Sequence, residues 1–209
     1  MPTGPFTGGS KREWMESRYS NDYESLIWRL RRVSLAMFRK NFMGIFHGSI
    51  SARVELNKFV INKKDAIFDD LSDEDFVLLY HNRDYRWKEA SLDSDIHSAI
   101  YSSIKDAKFI AYAMPPFTTA YSLENDYIIP LDYFGKLLFP KIKIYDPKHY
   151  EDWYDRADVE ISRYFHDADV DVMVIRGYGV YGHAREINRL AKNLAVVENS
   201  CRLLLYNKM

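Results

Sequence analysis

VDVMVIR, residues 170–176, constrains this chain more than any other run: it is β-branched and apolar, and it predicts a strand. GYGVYG follows at once and reads as a glycine-rich turn. Ala184–Leu205 then places Ile187, Leu190, Leu194, Val197 and Leu204 at helical spacing, which predicts a long closing helix. A strand feeding an amphipathic helix leaves an apolar stripe on each, and each stripe has to be buried against another layer.

The rest of the chain repeats that grammar. Leu26, Ile27, Leu30, Val33, Met37 and Phe38 recur every three or four residues, so 20–40 reads as a helix with Asn21 or Asp22 as N-cap. Ile50–Val54 and Phe59–Ile61 alternate apolar and polar residues, which predicts two strands joined by a short turn at Leu56–Lys58. Phe76–Tyr80 reads as a strand and 93–106 as a helix. Ala107–Ala113 reads as a central strand stopped by Pro115 and Pro116. Ile128–Pro130, the neighbourhood of Tyr133 and Ile142–Tyr145 suggest further sheet, and 149–166 a third helix. Strands and helices interleave, with hairpin-like pairs among them, so the expected fold is α/β: a sheet flanked by helices. Residues 1–20, rich in Gly, Pro and Ser, read as a mobile tail, and 21–209 as one domain.

Bulk properties exclude more than they assign. A formal net charge of −1 gives no reason to expect nucleic acid or an anionic membrane as partner. The single cysteine, Cys201, rules out an intrachain disulfide framework, and with no secretory signal in the first residues a cytoplasmic location is expected. The 16 tyrosines and 12 phenylalanines point to large interfaces or a polar-aromatic pocket, because buried phenols need partners.

Local motifs for chemistry are weak. No two of the six histidines share the short spacing of a zinc site. GYGVYG lacks the full dinucleotide fingerprint, and DDLSDED lacks the alternating ligands of a calcium loop. Lys63 and Lys64 together could hold an anion.

Four longer fragments say more. GIFHGSISARV resembles a strand-opening segment usually written Gly-Asn-Ile-Ser. KFVINKKDAIFDDLSDEDFVLL resembles the next block, in which a strand leads to a Thr-Gly pair. ASLDSDIHSAIYSSIKDAKFIAYAMPPFTTAYS resembles Pro-Ser-Ser-Glu, a helix, then His-x-His-Pro. VMVIRGYGVYGHAREINRLAKNLAVVEN resembles the Arg-Gly-His-Gly-Val block and its long helix. In this order the fragments resemble the class II aldolase/adducin family, fuculose-phosphate-aldolase type, over residues 20–205. The fold implied is a three-layer α/β/α arrangement around a central, largely antiparallel mixed sheet.

In active members of that family three histidines hold a zinc ion that stabilises an enediolate formed on cleavage of a ketose phosphate. Here those positions fall on Tyr112, Met114 and Tyr178. A thioether and two phenols are poor zinc ligands, so no cofactor is expected, although His47 or His183 could in principle rebuild a site. The family's catalytic glutamate falls on Asp93 and its tyrosine on Tyr133. The phosphate-binding positions fall on Ser49, on Lys63 and Lys64, and on Ser91. The resemblance implies an oligomer, a homotetramer in most members, and adducins use the fold as an interaction module. The expected function is therefore a non-catalytic aldolase-fold protein that binds a small anionic ligand or a protein partner. The alternative is a carbon–carbon lyase or isomerase acting on a sugar phosphate without the usual zinc, through Asp93 and Tyr133.

Overall fold

The computed structural model describes residues 11–45 and 47–208, with side chains described from residue 22 onward. Residues 1–10 of the expected tail lie outside that range. Helix α1 runs over Lys11–Arg39 rather than from Ser20, so positions 21 and 22, expected as the N-cap from Asn21 or Asp22, fall inside it.

Eight strands form one sheet in the order β3-β2-β1-β4-β8-β7-β6-β5. They are β1 (Ser49–Glu55), β2 (Lys58–Asn62), β3 (Phe76–Tyr80), β4 (Phe109–Ala113), β5 (Tyr127–Ile128), β6 (Ile142–Tyr145), β7 (Val172–Ile175) and β8 (Gly179–Ala184). All neighbours are antiparallel except β6 and β7, which run parallel. A parallel pair needs a crossover, and α5 (Trp153–Ala168) supplies it. The sheet is thus mixed and mostly antiparallel, with β4 in its interior between β1 and β8.

Alternation along the central strands sorts side chains into two cores. Ile50, Ala111, Val172, Val174 and Val180 face a layer built from α1, α3 (Pro116–Glu124) and α6 (Ile187–Tyr206), which contributes Leu30, Tyr121, Leu190 and Leu194. Ile110, Tyr112, Met173, Ile175 and Tyr181 face α2 (Ser94–Ser103) and α5, which contribute Ile96, Ile100, Ala157 and Ile161. A strand whose two faces are both buried has to be apolar throughout, and all five residues of FIAYA in β4 are buried.

Three segments differ from the sequence reading. Pro116 does not only stop β4; it sits in the first turn of α3, where its missing N–H costs no helical hydrogen bond. The neighbourhood of Tyr133 is not sheet but a short helix, α4 (Tyr133–Leu138), capped by Asp132, whose carboxylate accepts from the Gly135 N–H at 2.8 Å. GYGVYG is mostly strand: only its first two residues belong to the turn, and Gly179 opens β8.

Candidate functional site

A cleft of about 550 Å³ opens where β1 begins and β4 ends. It is walled by the loops after β2 and before α2, the β7–β8 turn and the start of α5. Six residues expected from the sequence line it: Lys64, Ser91, Asp93, Tyr112, Met114 and Tyr178. Ser49 lies directly beneath, fully buried, in register with Tyr112 on the neighbouring strand. His47 also lines the cleft.

Three of the sequence candidates go elsewhere. Lys63 forms a β-bridge with Ala90, and its ammonium lies 3.6 Å from the Glu89 carboxylate. Tyr133 stands on α4, 73% exposed and away from the cleft of its own chain. His183 lies well along β8 from Tyr178, with Nε2–H donating to the Val170 carbonyl at 3.1 Å and its ring against Phe165. It is committed to packing and does not turn toward Tyr178.

Asp93 is the floor of the cleft. It occupies the N-cap position of α2, yet its side chain caps nothing. Instead its Oδ2 accepts a 2.7 Å hydrogen bond from the Ser49 hydroxyl, which draws the carboxyl inward to 4% exposure. Burial raises its pKa above the ordinary carboxylate value, and the approach of the Ser49 and Tyr181 hydroxyls holds that rise in check. Tyr181 is fully buried and among the described residues its hydroxyl makes no well-formed hydrogen bond, so Asp93 is the group its polarity serves.

Of the three positions on which the resemblance places the family's histidines, aromatic rings fill two, Tyr112 and Tyr178, and Met114 is the third. Tyr112 is stacked on Tyr181 at 4.8 Å and leans on Tyr178 at 5.0 Å, so both of its faces are covered. Its hydroxyl donates to the Tyr178 carbonyl at 2.9 Å, and the Tyr178 hydroxyl donates to Tyr154 at 2.9 Å. Burial first, and the Asp93 charge second, push the Tyr112 and Tyr178 phenols far above their usual range. A phenolate ligand is correspondingly hard to form, and a neutral thioether at Met114 does not compensate. These residues do not fit a zinc ion, and among the described residues no group of three or more His, Cys, Asp or Glu side chains is placed to hold a metal.

The tight stack requires a glycine at its edge. Gly179 has φ +145°, and a Cβ there would lie 2.5 Å from the Ala113 carbonyl oxygen and 2.8 Å from Tyr112 Cε2. No local signal in the sequence points to Asn62, Tyr154, His97 or Tyr181. Asn62, on the cleft wall, accepts from the Ile50 N–H at 2.8 Å, so it braces β1 where the cleft begins. Its role depends on a strand pairing, and no motif spacing announces it.

A three-layer α/β/α fold with a buried carboxylate at the ends of β1 and β4 defines a class II aldolase-like protein. The family model for the class II aldolase and adducin N-terminal domain matches residues 29–205, and the chain belongs to that family. No curated protein matches the sequence. Among solved structures, L-fuculose-1-phosphate aldolase from Thermus thermophilus superposes with a TM-score of 0.78 at 20% identity, covering 88% of this chain and 94% of that one. Sugar-phosphate aldolase from Thermotoga maritima gives 0.69 at 14% identity, with 88% and 94% covered. The N-terminal class II aldolase domain of a Thermoplasma acidophilum protein gives 0.62 at 11% identity, with 98% and 97% covered. At these identities the likeness is one of fold.

Proposed function

We propose that this protein is a non-catalytic member of the family, an oligomer whose cleft binds a small anionic ligand. The observation that carries the reading is the aromatic stack: Tyr112, sandwiched between Tyr178 and Tyr181, occupies space that a metal-binding relative keeps for imidazoles. What remains around it suits an anion better than a metal. Lys64, His47 and Ser91 line one side, next to the Gly48 backbone. Titrating ketose phosphates and inorganic phosphate into the protein by calorimetry or thermal shift tests this. Binding that Lys64→Ala weakens at least about tenfold supports it. A cleft that takes no anion sinks it.

Self-association rests on the surface around α4, whose residues do not line the cleft. Ile129, Leu131, Tyr133, Phe134 and Leu137 are all more than half exposed on and just before α4. Apolar surface concentrated in this way is suited to covering by a second copy. Light scattering after gel filtration is expected to give an oligomer that Leu137→Asp dissociates. A wild-type monomer overturns this part of the reading.

The second reading, a lyase or isomerase acting on a sugar phosphate without zinc, is favoured by one observation. Asp93 is a buried carboxylate at the cleft floor, in a position to take a proton from a bound ligand, and burial raises its pKa above the ordinary carboxylate value. In that case Tyr133 would reach a cleft only across a subunit boundary, from a neighbouring copy. A retro-aldol assay over a panel of ketose phosphates separates the readings. Turnover that Tyr133→Phe abolishes selects the enzyme, and no turnover selects the binding protein.

A further inference from the structure

Behind Asp93 a row of hydroxyls and one imidazole runs through the interior between β1 and α2. Ser49 Oγ lies 2.7 Å from Asp93 Oδ2 and 2.9 Å from His97 Nε2. Ser51 Oγ lies 2.7 Å from His97 Nδ1 and 2.8 Å from the Tyr101 hydroxyl. The Tyr101 hydroxyl is 3.4 Å from the Lys108 carbonyl. Ser49, Ser51 and His97 are fully buried, and Tyr101 is 2% exposed.

The row exists because two periodicities match. Residues two apart on a strand share a face and lie about 6.7 Å apart, while residues four apart on a helix share a face and lie about 6 Å apart. Ser49 and Ser51 therefore interdigitate with Asp93, His97 and Tyr101 as rungs of one ladder.

Donor counting leaves two consistent arrangements. Each hydroxyl has one proton, and burial drives the His97 pKa down to about 3, so the ring carries a single N–H. With Asp93 ionised, Ser49 donates to it, and His97 has to donate from Nε2 to Ser49. Ser51 then donates to Nδ1, and Tyr101 to Ser51. With Asp93 protonated every bond reverses: Asp93 donates to Ser49, Ser49 to Nε2, Nδ1–H to Ser51, Ser51 to Tyr101, and Tyr101 to the Lys108 carbonyl.

We propose that Ser49, His97, Ser51 and Tyr101 form a proton relay to Asp93, in which the protonation state of the carboxyl sets the tautomer of His97. The two arrangements differ by one proton. A proton arriving at the Tyr101 oxygen displaces the phenol's own proton to Ser51, that of Ser51 to Nδ1, that of Nε2 to Ser49 and that of Ser49 to Asp93. No charged intermediate is left in the chain, and the reverse passage returns the proton. The far end lies by a second cleft, of about 310 Å³, at the opposite ends of β1 and β4, lined by Arg53, Lys108 and Arg185. The Arg53 guanidinium there lies 4.9 Å from the Tyr101 ring centre. His97, Ser51 and Tyr101 are positioning residues, and the relay stands whether or not the cleft turns over a substrate.

The titratable groups around Asp93 are Tyr112 on β4, Tyr178 and Tyr181 at β8 and Tyr154 on α5, with His47 and Lys64 at the cleft rim. The four phenols are all raised in pKa and stay neutral through the acid range, so they do not mimic the switch.

The test is NMR on the wild-type protein with labelled histidine and aspartate, titrated downward from about pH 8. The expected result is an Nε2–H tautomer of His97 while Asp93 is ionised, changing to Nδ1–H with the same midpoint as the Asp93 carboxyl carbon. In Ser49→Ala the two signals are expected to uncouple. A fixed tautomer while Asp93 titrates, a doubly protonated His97 in place of the switch, or an Asp93 that never titrates before acid unfolding each overturns the proposal. If Ser49→Ala does not fold, the wild-type titration alone decides.

Discussion

Replacing His97 by glutamine is expected to flatten the acid limb of the stability curve. The imidazole is fully buried, its two nitrogens are held by Ser49 and Ser51, and burial lowers its pKa from 6.5 to about 3. In the unfolded chain the same ring titrates at its ordinary value. A histidine depressed in the folded state contributes stability that is complete above about pH 6.5 and is lost as pH falls toward 3. At pH 4 the unfolded ring is protonated and the folded one is not, a difference of about 3 kcal/mol relative to pH 7.5. Asp93 acts in the opposite sense: its raised pKa makes the folded state the stronger proton binder, so its contribution grows as pH falls through the folded value. Wild-type curves therefore contain both terms; because Ser49 links Asp93 to His97, the Asp93 titration is followed by NMR in both proteins and its term subtracted before the His97 term is read. Urea unfolding at pH 7.5 and pH 4 is the assay, and the variant is expected to lose about 3 kcal/mol less over that interval. His81 and His183, also lowered by burial, are common to both proteins and cancel. Parallel curves would refute the reasoning, as would a His97 that titrates near 6.5 in the folded protein.

Three further outcomes are expected. Gly179→Ala places a Cβ against the Ala113 carbonyl at a φ that side chains avoid, and is expected to destabilise the fold by about 1–3 kcal/mol in urea unfolding. An unchanged midpoint would mean the Tyr112 stack is looser than described. Glu198, buried on α6, accepts from the Phe117 and Thr118 N–H groups and the Thr118 hydroxyl at the start of α3; Glu198→Ala leaves those donors unpaired and is expected to cost about 1–3 kcal/mol, with Glu198→Gln milder. Elemental analysis of purified protein is expected to find well under one zinc per chain, and stoichiometric zinc would contradict the reading of Tyr112, Met114 and Tyr178.

How far the sequence could be read depended on whether a signal was local. β4 and β7 announce themselves as unbroken apolar runs buried on both faces, and α5 and α6 as periodic runs whose burial matches their spacing. The β1–β2 hairpin does so as well, with Glu55 opposite Lys58 across its turn. α4 and β8 do not. Six residues around Tyr133 have too little period to distinguish helix from strand, and the helix depends on Asp132, itself held by the Ser200 hydroxyl far along the chain. GYGVYG carries the glycines of a turn, yet Gly179 is there because β4 approaches it closely, a fact about a distant strand.

The same division runs through the site. By family resemblance the sequence alone identified the fold and the absence of the three histidines, since both are matters of residue identity and order. It also named most of the cleft lining, and it named Asp93 as the surviving carboxylate. Only the tertiary structure decided that Asp93 turns away from its cap position to meet Ser49, that Lys63 and Tyr133 stand outside the cleft, and that His97 lies behind it. The reason is geometric. Identity and spacing are carried by neighbours in the chain, whereas the direction of a side chain and the pKa it adopts are fixed by strands and helices that meet from distant parts of it.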